Sequence, residues 1–121
     1  MDSNRDVLVV EDDADLNTIV GAYAQLAGLG YRSALDGGSA LRQAAQKRPA
    51  LILLDLMLPD IDGFEVCRRL KEDARTADVP VVMLTALKEE ESRGRACGAV
   101  EYMSKPFDPD LLIAAIRRHA V

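Results

Sequence analysis

The chain has 121 residues, of which 49% are hydrophobic and 29% charged, an ordinary balance for one folded globular domain. Its net charge of −5 disfavours direct nucleic-acid binding by this chain. No apolar run approaches the length of a membrane-spanning helix, and the polar start predicts no signal peptide, so we expect no membrane partner and a cytoplasmic location. The two cysteines, Cys67 and Cys97, are interpreted as small packing residues rather than as a disulfide.

The first half of the chain alternates short apolar runs with helical patterns. In chain order, these predict a strand, a helix, a strand, a helix and a third strand at residues 6–10, 16–27, 29–34, 40–45 and 51–54. Gly28 can close the first helix, and Pro49 limits the second. The third strand is a run of four large aliphatic residues, which indicates burial on both faces, and it ends at the carboxylate of Asp55.

The second half continues the same alternation. We predict a helix capped by Asp62, a strand at 79–84, a helix at 88–97, a strand at 100–103 and a last helix capped by Asp108. The helix at 88–97 rests on Glu–Arg pairs rather than on an apolar stripe, so it should be the least firmly held. Five strands alternating with five helices predict an α/β fold, a doubly wound (βα)5 domain over residues 1–121 with helices on both faces of a parallel sheet.

Polar residues stand at the carboxyl ends of the predicted strands. Glu11 and Asp12 follow the first strand, Asp55 ends the third, Thr85 follows the fourth, and Lys105 lies just past the fifth. The order 2-1-3-4-5 is borrowed from known open parallel sheets, and in it a site forms where the order reverses, between strands one and three. Three carboxylates would then crowd one crevice, and their repulsion calls for a cation. Carboxylate ligands with retained waters fit Mg²⁺.

One cation and one lysine around an acid make a phosphoryl site. Asp55 could attack phosphorus in line while Mg²⁺ and Lys105 neutralise the equatorial oxygens and the Thr85 hydroxyl donates to one of them. Asp13 has the plainer role of helix cap. The sequence contains no phosphate-binding glycine loop followed by Lys-Ser/Thr, no Cys–His metal spacing and no Gly-x-Ser-x-Gly motif.

Four segments together resemble the receiver domain of bacterial two-component response regulators, the chemotaxis-regulator-like family. They are Val-Val-Glu-Asp-Asp at 9–13, Leu-Leu-Asp-Leu-Met-Leu-Pro-Asp-Ile-Asp-Gly at 53–63, Leu-Thr-Ala at 84–86 and Tyr-Met-Ser-Lys-Pro-Phe at 102–107. Each motif is weak alone, but all four stand in order at strand ends, and the resemblance covers nearly the whole chain. It implies a flavodoxin-like fold and a phosphorylation-dependent switch.

The resemblance also implies roles for individual residues. Asp55 would accept a phosphoryl group from a sensor histidine kinase or phosphotransfer protein, with Lys105 contacting the phosphate across a cis peptide bond to Pro106. Glu11, Asp12, Asp55 and the backbone carbonyl of Met57 would form the metal site. Thr85 and Tyr102 match the switch residues, whose movement alters the surface of the predicted helix at 88–97, the fifth strand and the last helix. A downstream effector domain or protein would read that surface, and a homodimer could form through it.

Two departures from the family pattern bear on function. Glu11 stands where aspartate is commoner, which suggests that its carboxylate reaches the metal through water. Met57 and Leu87 occupy positions that tune dephosphorylation, and because both are apolar, neither can position an attacking water. We therefore expect a phosphoryl-aspartate of relatively long life and only slow autodephosphorylation, so that the chain catalyses its own phosphotransfer without being a turnover enzyme.

Two other functions remain open on the sequence. A phosphohydrolase with an aspartyl nucleophile, as in the haloacid-dehalogenase family, would carry the nucleophile after the first strand and a second acid two residues later, where this chain has Met57. A pseudo-receiver would bind protein partners without being phosphorylated. The complete set of Asp12, Asp55, Thr85 and Lys105 argues against that reading.

Overall fold

The computed structural model describes residues 6–84 in full, the backbone of Thr85, and residues 98–120. The predicted helix at 88–97, with Leu87 and Cys97, and the side chain of Thr85 lie outside the described residues. The described elements are β1 (Asp6–Val10), α1 (Ala14–Leu26), β2 (Gly30–Ala34), α2 (Gly37–Gln46), β3 (Leu51–Asp55), α3 (Gly63–Glu72), β4 (Val81–Thr85), β5 (Glu101–Ser104) and α4 (Pro109–His119).

The strands form one parallel sheet in the order β2-β1-β3-β4-β5. This confirms the predicted fold and strand order. The order reverses between β1 and β3, which are neighbours although β2 lies between them in the chain. Val10 is paired with Leu54, and Asp55 with Leu84, so β1, β3 and β4 end at one edge of the sheet.

The core consists of two layers, one on each face of the sheet. Along β3, Leu51 and Leu53 pack with residues of α1 and α4, whereas Ile52 and Leu54 pack with residues of α2 and α3. All four are fully buried, at 0% exposure. The central strand is therefore covered on both sides, which explains its unbroken aliphatic sequence and confirms that helices lie on both faces.

Helix starts follow the local sequence closely. Asp13, Asp62 and Asp108 each cap a helix by accepting backbone N–H groups, as the sequence predicts. β4 begins at Val81, two residues later than predicted. Pro80 has no N–H to donate to a strand ladder, and only its carbonyl takes part, accepting the N–H of Ile52 at 3.0 Å.

Candidate phosphoryl-acceptor site

The site is built where the strand order reverses. Glu11 immediately follows β1, and Asp55 is the last residue of the neighbouring β3. Carboxylate oxygens of Glu11, Asp12 and Asp55 lie within 4.8 Å of one another. The structure thus brings together the three acids that the sequence places at strand ends.

Two of these acids are almost inaccessible to water. Glu11 is 5% exposed and Asp55 4% exposed, whereas Asp12 is open to solvent. Their compensating charge is Lys105, whose Nζ lies 2.8 Å from Glu11 Oε1 and 3.4 Å from Asp55 Oδ2. Burial by itself would lower the pKa of Lys105, but its hydrogen bond to Glu11 and the charge of Asp55 outweigh burial and raise that pKa above its ordinary value. Lys105 therefore stays protonated at neutral pH and holds the two acids together.

Both oxygens of Glu11 have hydrogen-bond donors. Oε1 accepts from Lys105, and Oε2 accepts the backbone N–H of Asp13 at 3.1 Å. The longer side chain of glutamate reaches across to the lysine while remaining fixed to its own turn. This arrangement is consistent with a carboxylate that would meet a metal ion through water rather than directly.

The backbone position of Asp55 is fixed by the close approach between the end of β3 and the start of α3. A side chain at Gly63 would place its Cβ 2.7 Å from the carbonyl oxygen of Asp55 and 2.7 Å from Cα of Leu56, so only glycine fits. The N–H groups of Gly63 and Leu58 both donate to the Leu56 carbonyl, each at 3.1 Å. The Asp-Gly pair at 62–63 therefore caps α3 and lets the helix approach the candidate acceptor.

An open cleft of about 460 Å³ lies beside the cluster. Met57 is one of its lining residues, with 67% of its surface exposed, and its backbone nitrogen lies 3.4 Å from Asp55 Oδ1. The cleft is lined by Asp12, Leu56, Met57, Leu58, Pro59 and Asp62. Solvent and a phosphodonor can therefore reach this edge of the sheet past an apolar side chain.

The remaining predicted residues lie on the strands beyond β3. Thr85 ends β4, opposite Ser104 of β5, so its backbone stands at the same edge as Asp55. Tyr102 lies on β5, half-buried against the core layer of α2 and α3. The peptide bond between Lys105 and Pro106 is cis, as expected. Leu87 is outside the described part of the chain.

Asp60 has a structural role that the sequence reasoning missed. Its two oxygens accept the N–H groups of Gly37 at 2.8 Å and Gly38 at 2.9 Å. It therefore ties the loop after β3 to the first turn of α2. Hydrogen bonds from Gly38 and Gly37 lower the pKa of Asp60. In the sequence, the Gly-Gly pair at 37–38 is the signal for this contact, since two adjacent residues without side chains allow a carboxylate to approach the backbone.

We expect Asp60→Asn to destabilise the protein at neutral pH, because an amide has one acceptor oxygen for the two N–H groups. A lowered folded-state pKa adds stability above the ordinary aspartate value of about 4, and this is lost as pH falls through the folded-state pKa. The difference in unfolding free energy between wild type and Asp60→Asn should therefore shrink in acid, as measured by urea denaturation. Asp36→Asn is the control, since Asn replaces Asp well as the N-cap of the same helix. A difference independent of pH would contradict this role.

The donor chemistry of the cluster fits a small hard cation. All three side chains offer carboxylate oxygen, two of them are buried, and one lysine leaves them under-compensated. Mg²⁺ prefers such oxygen ligands and retains several of its waters. The residues present therefore suit a magnesium ion.

Comparison with known proteins agrees with this geometry. The family model described as "Response regulator receiver domain" matches residues 7–117. The chain belongs to the response regulator receiver domain family. As such it is a signalling domain rather than a conventional enzyme, and it acts as a phosphorylation-dependent switch; receiver domains of this family interact with histidine kinases.

This receiver domain is similar in sequence to the receiver part of longer regulators. It is 43% identical over 113 residues to the DNA-binding dual master transcriptional regulator RpaA of Synechocystis sp., covering 92% of this chain and 47% of RpaA. The chain thus spans about half the length of that relative.

Solved structures give the same answer. Chemotaxis protein CheY4 of Vibrio cholerae is 31% identical with a TM-score of 0.87, over 95% of this chain and 98% of that one. The receiver domain of a sensor histidine kinase from Pseudomonas aeruginosa is 29% identical with a TM-score of 0.87, over 96% and 97% of the two chains, and holds a magnesium ion coordinated in its active-site cleft. Among residues 6–85 and 98–120 of the present receiver domain, no helix is both long enough and apolar enough to cross a membrane.

Proposed function

We propose that Asp55 accepts a phosphoryl group from a phosphohistidine of a sensor histidine kinase or phosphotransfer protein. The observation that carries this proposal is the cluster of Glu11, Asp12 and Asp55 at the reversal of strand order, with Lys105 in contact with Glu11 and Asp55. A carboxylate oxygen of Asp55 attacks phosphorus in line, an O–P bond forms, the P–N bond of the donor breaks, and the leaving imidazole takes up a proton.

The surrounding residues stabilise that transfer. Lys105, whose Nζ lies 3.4 Å from Asp55 Oδ2, forms an ion pair with one phosphoryl oxygen. The Thr85 hydroxyl donates a hydrogen bond to another. Asp12, Asp55 and the Met57 carbonyl would hold Mg²⁺, with Glu11 acting through water. When bound, the ion supplies charge neutralisation of the phosphoryl oxygens.

The phosphorylated state is read by partners at a second surface of the domain. Thr85 and Tyr102 transmit the phosphorylated state to the surface formed by residues 88–97, β5 and α4, where an effector domain or protein, or a second copy of the chain, binds. Residues 1–121 form a single receiver domain located in the cytoplasm. The net charge of −5 supports an output through protein contacts rather than direct binding of nucleic acid or membrane.

Slow autodephosphorylation is part of the proposal, because Met57 and Leu87 offer no polar group to orient water. Met57 is exposed, and it lines the open cleft beside the acidic cluster. We expect Met57→Asn to shorten the phosphoryl-aspartate lifetime severalfold, measured as the decay of the phosphorylated mass after removal of donor. Met83→Leu, a fully buried change on β4, is the control. An unchanged lifetime in Met57→Asn would show that this position does not limit hydrolysis.

One experiment separates the candidate functions. The protein is incubated with Mg²⁺ and acetyl phosphate, or with a phosphorylated kinase, and its intact mass and free phosphate are followed. A single stoichiometric adduct supports the switch. Continuous phosphate release from varied phosphomonoesters would instead indicate an aspartyl phosphohydrolase, and the absence of an adduct with every donor would indicate a pseudo-receiver.

A further inference from the structure

Asn17 is a buried polar residue whose contacts converge on the acidic site. It lies in α1, one turn after the Asp13 cap, and is 1% exposed. Its Nδ2 lies within hydrogen-bond distance of three backbone carbonyl oxygens, those of Val9 at 3.2 Å, Glu11 at 3.1 Å and Ala34 at 3.3 Å. Only a donor suits three carbonyls, so the orientation of the amide is fixed chemically.

These three carbonyls lie where β1 and β2 end. There the strand ladder stops, and carbonyl groups left without a donor inside the protein would be costly. The Glu11 N–H donates to the Ala34 carbonyl at 3.0 Å, so Asn17 and Ala34 hold the backbone of Glu11 from both sides. With the backbone of Glu11 fixed, its carboxylate is aimed at Lys105 and the following residue, Asp12, faces the cleft.

The other end of the Asn17 amide is also held. Its Oδ1 accepts the hydroxyl of Ser33, on the edge strand β2, at 2.6 Å. This contact sets the plane of the amide and leaves the NH₂ group directed at the turn after β1. The side chain is thus satisfied at both ends, by groups from β1, from the turn after it and from β2.

We propose that Asn17 is a positioning residue for the metal site. It holds the turn after β1 so that Glu11 and Asp12 face Asp55 before any cation arrives. A cation then binds acids that are already assembled, and the free energy of binding is not spent on ordering the turn. This inference rests on the magnesium site of the proposed function and adds a residue that touches neither the metal nor the phosphoryl group.

The test compares Asn17→Ala with Thr76→Val. Thr76 is also 1% exposed, and its hydroxyl donates to the Leu70 carbonyl at 2.7 Å, but it precedes β4 and so lies toward the opposite edge of the sheet. Both variants lose buried hydrogen bonds from a side chain to backbone carbonyls. Only Asn17→Ala loses them next to the acidic cluster. Mg²⁺ affinity is measured by titrating the amide NMR spectrum, and amide hydrogen exchange at Glu11 and Asp13 is measured in metal-free protein.

We expect Asn17→Ala to weaken Mg²⁺ binding by about tenfold, which is the lower end of the loss in metal affinity seen when a residue that orients metal ligands is mutated. It should also speed exchange at Glu11 and Asp13 without metal, whereas Thr76→Val should do neither. If Asn17→Ala does not fold, Ser33→Ala replaces it in the test, because it removes the hydrogen bond that orients the amide. It should weaken Mg²⁺ binding in the same direction but by less. Equal Mg²⁺ affinity in Asn17→Ala and wild type, equal weakening in Thr76→Val, or a wild type that binds no Mg²⁺ would overturn the inference.

Phosphoryl uptake from acetyl phosphate is followed on the same samples. A wild type that forms the adduct, together with an Asn17→Ala variant of unchanged Mg²⁺ affinity, refutes the positioning role alone. A wild type that forms no adduct, together with Asn17-dependent Mg²⁺ binding, refutes the proposed phosphoacceptor and leaves the positioning role standing.

Discussion

Asp55→Asn is expected to abolish the phosphoryl adduct completely. The amide of asparagine is a poor nucleophile, and no other acid of the cluster has the same surroundings. Glu11 is held at 2.8 and 3.1 Å through its two oxygens, whereas both side-chain contacts of Asp55 within the described part of the chain are 3.4 Å, and Asp12 is exposed. The measurement is intact mass after incubation with acetyl phosphate and Mg²⁺. Asp62→Asn is the matched control, because it lies on the same loop and asparagine can still cap α3.

The same substitution should change how Mg²⁺ affects stability. Asp55→Asn removes one of three crowded carboxylates, so the unfolding free energy in metal-free buffer should rise as repulsion falls. A cation that binds only the folded state stabilises it more the tighter it binds, with a logarithmic dependence on affinity, so the increase in melting temperature on adding Mg²⁺ should become smaller. An adduct that persists in Asp55→Asn would show that another residue is the acceptor. An undiminished effect of Mg²⁺ on the melting temperature would show that Asp55 is not a metal ligand.

Gly63→Ala should be the most damaging single-methyl change near the site. Its new Cβ would lie 2.7 Å from two backbone atoms, the Asp55 carbonyl oxygen and Leu56 Cα, and neither can yield as a side chain can. Relief requires α3 to move away from β3, with a stability cost of about 1–3 kcal/mol, typical of overpacking. Because Asp55 itself would shift, phosphoryl uptake should slow by roughly ten- to a hundredfold.

Gly30→Ala serves as the matched control for this prediction. Gly30 lies on β2, and a Cβ there would meet only the Asp6 side chain, at 3.9 Å. Urea denaturation and the rate of adduct formation should therefore be close to those of wild type. Equal behaviour of the Gly63 and Gly30 variants would show that α3 can move without disturbing the acceptor.

Much of the fold follows from local sequence. The aliphatic runs at 7–10 and 51–54 are short and unbroken, so they identify strands buried on both faces. The caps Asp13, Asp62 and Asp108 lie within a few residues of the N–H groups that they accept, so spacing alone locates the helix starts. Strand order came from the resemblance to known receivers, because periodicity says nothing about which strands are neighbours.

The sequence by itself determined the alternation of elements, the helix caps and the acids at the strand ends, because each depends on residues close together in the chain. Tertiary structure alone decided which distant groups meet. Lys105 reaches Glu11 across 94 positions, and Asp60 reaches Gly37 across 23. Ser33 of β2 bonds Asn17 because α1 packs beside the end of that strand, which lies next to β1. Such contacts are set by strand order and helix packing, which no spacing of residues along the chain encodes.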